Sequence, residues 1–216
     1  MRSVSVALLM TLGAACCQRP AQEDFSRAAS STAEPAEPSH TPPPSDGAVA
    51  TGRSARLSGD RCVRLTAEGP PPAVPPGSAA DCPTDPEASV SAARLPTVSV
   101  IFEDVRGVSV NAELVHSPHD TMRGLMYRKS LGEDQGMLFD LGVREDHRFW
   151  MHNTCIPLDL IFVDFDGLVV GIVENAPTLN DEARGVGCPS RWVLEVNAGW
   201  ARRHGVKSGQ RIELPR

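Results

Sequence analysis

The sequence predicts a mainly β domain over residues 97–216, small and barrel-like or a sandwich, with seven to eight short strands and two short helices. Three features point there. Short runs from Thr97 onward alternate apolar with polar side chains and favour Val and Ile, which suit a half-buried pleated strand. Two strongly apolar runs flank Asp166-Gly167, a dipeptide fitted to a tight hairpin turn. Strands and helices do not alternate along the domain, which argues against the parallel α/β folds.

Along the chain, Val98-Ser99-Val100-Ile101-Phe102 and the run Val108 to Val115 read as the first two strands. Ser117-Pro118-His119-Asp120 then supplies an N-cap, a proline at the first helical position and an acid two residues on. That opens a short helix reaching about Tyr127. Gly136-Met137-Leu138-Phe139 and Arg148-Phe149-Trp150-Met151 are two further strands. The hairpin comes next, Leu158 to Phe165 and Leu168 to Val173. Its strands are apolar on both faces, so both faces should be covered by protein. Arg191 to Val196 is another strand, a helical turn around Trp200 to His204 ends at Gly205, and Gln210 to Leu214 closes the domain.

Upstream of the domain the composition changes. Of the 19 prolines, 14 fall between Pro20 and Pro96, in a stretch almost without large apolar residues. Such a segment buries too little surface to offset the entropy of ordering it, so residues 17–96 are expected to form a disordered spacer, with 19–59 as a solvated tether. Residues 1–16 have the form of an export signal. Arg2 precedes a mostly apolar run that ends in Gly13-Ala14-Ala15, too short for the roughly 20 residues a membrane span needs. Leu12-Gly13-Ala14-Ala15-Cys16 resembles the lipobox of bacterial lipoproteins, which implies a lipid on Cys16 or Cys17. Leu12 lies four places before Cys16 rather than the usual three. The expected location is therefore the periplasm or outer envelope, with the membrane as a partner through the lipid.

In an oxidising compartment the remaining cysteines should be paired. Cys62 and Cys82 flank one proline-rich loop and Cys155 and Cys188 flank another, so their spacing predicts the disulfides Cys62–Cys82 and Cys155–Cys188. From Arg94 onward there are 14 Lys and Arg against 17 Asp and Glu, without a basic stripe, which argues against nucleic acid as a partner. No phosphate loop, nucleophile elbow, metal cluster or cofactor fingerprint is present, and no cofactor is expected.

Two carboxylates interrupt apolar strands, Asp159 and Glu195. A buried carboxylate must be paired or hydrogen-bonded, or its pKa rises. One reading makes them the acid/base pair of a small hydrolase acting on envelope polysaccharide. The other is structural, with Asp159 taking backbone N–H groups from Asn153 and Thr154, and Glu195 pairing with Arg123 or Arg128. Trp150 and Trp192 suggest an aromatic platform or core residues. His152 and Cys155 suggest a thiol–imidazole pair or, for Cys155, the disulfide already named.

Several blocks carry a family resemblance. Thr121-Met122-Arg123-Gly124-Leu125-Met126-Tyr127-Arg128, Gly136 to Phe139, Phe149-Trp150-Met151-His152-Asn153-Thr154, Ile156-Pro157-Leu158-Asp159 and Val193-Leu194-Glu195-Val196-Asn197-Ala198-Gly199 resemble the successive blocks of the domain of unknown function 192. The resemblance runs from Val108 to Leu214 and implies a compact β-rich fold, often secreted or membrane-attached, with no assigned reaction. Members usually carry Lys where this chain has His152. The functional expectation is an envelope module that binds a small ligand or protein partner without transforming it, through Trp150, Asn153, Asp159, Asn197 and Arg123. The hydrolase using Asp159 and Glu195 is the alternative.

Overall fold

The computed structural model describes residues 61–73, 81–88 and 95–215. Its elements run β1 (Thr97–Phe102), β2 (Ser109–Val115), α1 (Pro118–Arg123), β3 (Gln135–Glu145), β4 (Phe149–Met151), β5 (Leu158–Val163), β6 (Val169–Ala176), β7 (Asn180–Arg184), β8 (Ser190–Asn197), α2 (Trp200–Arg203) and β9 (Ile212–Glu213). The domain is mainly β, as expected, with one strand more than foreseen. That strand is β7, whose sequence Asn-Asp-Glu-Ala-Arg lacks an apolar face and takes its form from pairing with β4.

Seven strands form one curled sheet in the order β6-β5-β8-β3-β2-β1-β9, and β4 with β7 forms a separate two-stranded flap. Only the β2–β3 pairing in the large sheet is parallel, and α1 lies in its crossover. Curling brings the β6 end of the sheet back to β9. Leu168 bridges to Arg211, the Val169 N–H donates to the Gln210 carbonyl at 2.9 Å, and the Ile212 N–H donates to that of Gly167 at 2.9 Å. The result is a half-barrel.

The hairpin β5–β6 forms around the expected Asp166-Gly167, although its loop is longer than a two-residue turn. The Gly167 N–H donates to Asp164 O at 3.1 Å and the Asp164 N–H to Leu168 O at 2.8 Å. Gly167 has φ 86°, and a Cβ there would lie 2.3 Å from the Ile212 carbonyl oxygen, so only glycine fits. As β5's composition requires, all six of its residues are buried. One face carries Leu158, Leu160 and Phe162 into a core with Met137, Phe139, Met151 and Val193. The other carries Ile161 and Val163 into a core with Phe102, Leu138, Leu194, Val196 and Trp200.

Ser117 caps α1 by accepting the Asp120 N–H at 3.1 Å. The helix is shorter than expected, because Gly124 leaves helical geometry at φ 48° and Tyr127 is left-handed at φ 63°. Any Cβ on Gly124 would meet the Phe139 ring at 3.3 Å.

Residues 61–73 and 81–88, expected to belong to the spacer, are an arm laid on the domain. Val63 is buried in the first core, the Arg64 N–H donates to Val170 O at 2.8 Å, and Asn175 Nδ2 donates to Pro72 O at 2.6 Å. Arg202 donates to the carbonyls of Ala67 and Gly69 while its fork grips Glu174 at 2.6 and 2.8 Å.

The disulfides correct the expected pairing: they are Cys62–Cys188 and Cys82–Cys155. Residues 61–73 run beside β6 and residues 81–88 beside Arg123 and Tyr127, which puts each thiol of the arm against a domain cysteine, so proximity along the chain misleads. The expected signal and tether, residues 1–59 with Cys16 and Cys17, lie outside the described residues. No helix among the described residues is long and apolar enough to cross a membrane.

Candidate binding site

Asp159 is fully buried at the start of β5. Its Oδ1 accepts the backbone N–H groups of Asn175 at 2.9 Å and Gly199 at 3.0 Å, and its Oδ2 accepts that of Ala201 at 3.0 Å. These donors replace the Asn153–Thr154 loop that the structural reading assigned to it. Gly199 is the N-cap of α2 and has no side chain to offer, so Asp159 caps that helix from a neighbouring strand. Burial raises the carboxyl's pKa, against the three N–H groups that lower it.

Glu195 is also buried, and burial pushes its pKa up to about 8, the charge of Arg128 only partly opposing this. The expected ion pairs do not form: Arg128 forks onto Glu113 at 2.7 and 2.6 Å, and Arg123 turns to the arm. Nor do the two carboxylates converge. Across β5 and β8, Asp159 faces Val196 and Leu160 faces Glu195, so alternation sends the two carboxyls to opposite faces of the sheet. The register therefore does not bring the two carboxyls together as the acid/base reading needs. Cys155, held in a disulfide, has no thiol for the alternative nucleophile.

Trp192 is buried on the far core while Trp150 is half-exposed on the flap, so they form no common platform. Trp150 instead stacks on His152, centroids 5.0 Å apart, and His152 Nδ1 meets Asp181 Oδ1 at 2.7 Å. Asn197 is committed to the fold, its Nδ2 donating to Leu131 O and Gly132 O at 3.2 and 2.9 Å.

What converges is a group around Asn153 and Tyr127. Both are left-handed non-glycine residues, φ 51° and 63°, and each holds the other. The Tyr127 N–H donates to Asn153 O at 2.8 Å, and Asn153 Nδ2 donates to the Tyr127 hydroxyl at 2.9 Å. Such strain persists only where the surroundings over-determine it, and it clusters at ligand sites. The Arg123 guanidinium lies over the Tyr127 ring at 5.3 Å. Its Nη2 donates to Asp85 at 2.6 Å and its Nη1 lies 3.2 Å from Glu87, both on the arm. That contact holds the Asp85 carboxyl below the usual range.

The DUF192 family model, described as an uncharacterised conserved group, matches residues 101–214. The chain belongs to the DUF192 family. Two solved structures resemble it. A candidate transcription regulator from Sinorhizobium meliloti 1021 is 38% identical over 54% of this chain and 91% of that one, with a TM-score of 0.51. A protein of unknown function from Novosphingobium aromaticivorans is 35% identical over 57% of this chain and 89% of that one, with a TM-score of 0.53. No curated protein matches the chain.

Of the residues singled out in the sequence, Arg123 and Asn153 meet in this DUF192 site through Tyr127, and Trp150 lies on the strand that leads into Asn153. Asp159 and Asn197 do not join them. Tyr127, Asp181 and the arm's Asp85 and Glu87 were not among the sequence candidates, and His152, expected beside Cys155, pairs instead with Asp181. Tyr127 sits in a family block, but its role depends on a left-handed backbone that only tertiary contacts impose.

Proposed function

We propose that this DUF192 protein is an exported, lipid-anchored module that binds an envelope ligand without transforming it, through Arg123, Tyr127, Asn153 and Trp150. The observation that carries the reading is the mutual lock of two left-handed residues beside an arginine. Asp159 is committed to three backbone N–H groups and lies on the opposite face of the sheet from Glu195, which is buried beside Gly124. The half-exposed Trp150, three residues before Asn153, offers a flat apolar surface stacked on His152.

Two disulfides fit an oxidising compartment, and the Cys16-Cys17 end of the apolar run supports the anchor. The regulator-like description of one relative supplies no ligand for this chain, whose domain has more acidic than basic residues. Nucleic acid is not among the proposed partners.

Thermal melting of the purified protein against cell-wall sugars, peptides and metal ions tests the site, because a ligand specific for the native state raises Tm. The shift should vanish in Trp150→Ala or Asn153→Ala. A shift that survives both substitutions sinks the site, and turnover of the bound compound sinks the non-catalytic reading. Mass spectrometry of the cellular protein should find an acylated N-terminal Cys16 or Cys17. An intact Met1 overturns export, whereas a cleaved but unmodified end overturns only the lipid.

A further inference from the structure

We propose that Arg123 is a carboxylate receptor, that Asp85 and Glu87 of the arm occupy it as a tethered internal ligand, and that the external ligand is an acidic peptide segment which competes with the arm. This rests on the binding reading above and names its partner and regulation.

Arg123 lies within the family domain, whereas Asp85 and Glu87 lie before its first matched residue at 101. Among the described residues, both carboxylates that reach Arg123 come from the arm. Arg128, five residues on, shows the ordinary arrangement: its fork is filled by Glu113 from within the domain. Arg123 is thus a domain arginine filled from outside the domain. Its guanidinium is already oriented, lying over Tyr127, whose hydroxyl Asn153 holds. A planar, pre-aimed fork is the geometry that recognises carboxylates.

The arm is shaped to fill it. Cys82 is bonded to Cys155, two residues beyond Asn153. Asp85 accepts the Glu87 N–H at 2.9 Å and Pro86 stiffens the turn between them. The tether converts a weak carboxylate contact into an intramolecular one at high effective concentration, which an external peptide must outcompete.

The test uses the full chain with both disulfides intact, comparing wild type with Asp85→Ala/Glu87→Ala. Calorimetric titration uses a blocked peptide of the arm's own sequence, Thr-Asp-Pro-Glu, and a Thr-Asn-Pro-Gln control. The opened variant should bind the acidic peptide at least about tenfold more tightly than wild type does, and more tightly than it binds the control. Adding Arg123→Gln should abolish that gain. If the alanine variant loses its fold by near-ultraviolet circular dichroism, Asp85→Asn/Glu87→Gln replaces it with the same expectations.

Equal binding of both peptides, or no gain in the opened variant, overturns the internal-ligand proposal. If another compound then still gives a Trp150-dependent melting shift, the binding reading stands without it. If nothing shifts either protein, both fall.

Discussion

Asp159 shows what one buried carboxylate does in this fold. Replacing it with Ala strands three backbone N–H groups, and each unpaired buried donor costs roughly 1–3 kcal/mol. The expected loss for Asp159→Ala is about 3 kcal/mol or more, read from denaturation midpoints. Asp159→Asn keeps an oxygen for Asn175 and Gly199 but turns an amide toward Ala201, so it should cost less. Equal stability of Asp159→Ala and wild type would mean that α2 is capped by something else. Glu195 gives a pH dependence. Its folded pKa of about 8 exceeds the unfolded carboxylate value near 4.3, so the folded state holds a proton the unfolded chain has released. Stability from this group is full below the unfolded pKa and falls as pH rises toward 8, then levels off. Glu195→Gln should flatten that decline in urea melts recorded from pH 4 to 9. An unchanged slope would show that Glu195 is charged in the folded protein. Both carboxylates were visible in the sequence as polar breaks in apolar strands, but not their partners. Asp159's donors come from residues 16, 40 and 42 positions away.

At the scale of elements, the signals that depend on near neighbours were legible. The Ser117 cap, the Pro118 start and the hairpin at Asp166-Gly167 all formed, because each is settled by contacts within a few residues. Strand β7 was not legible, since its strand form comes from β4 and not from its own side chains. The hairpin loop also closes the half-barrel, which makes Gly167 a test of that closure. Gly167→Ala must place a methyl against the Ile212 carbonyl in a left-handed backbone, with an expected cost of roughly 2 kcal/mol. Hydrogen exchange should quicken at the Val169 and Ile212 amides, which bond across the closure. Unchanged protection at both would mean that the sheet edge is held elsewhere.

For the whole molecule, the two disulfides fasten the arm, 61–73 and 81–88, to the domain. Cys62–Cys188 and Cys82–Cys155 span 126 and 73 residues and bind the arm just after β7 and just after β4, the two strands of the flap. Long closures restrict the unfolded chain most, so losing either one should cost roughly 2–5 kcal/mol, measured for Cys62→Ser/Cys188→Ser and Cys82→Ser/Cys155→Ser by thermal melting. Peptide mapping without reductant should recover these pairs, and recovery of Cys62 with Cys82 would overturn the arm's placement.

The sequence by itself determined the fold class, the capped helix, the hairpin and the need to cover β5 on both faces. Each follows from the period of apolar residues or from the backbone preferences of a few neighbours. Only the tertiary structure decided which cysteines pair, which N–H groups meet Asp159, and that Asp159 and Glu195 point apart. It also decided that an arginine of the domain is filled by carboxylates of the arm. Those outcomes depend on which strands lie side by side and in what register, and a one-residue change of register sends every side chain to the other face. Spacing along the chain holds no record of that choice.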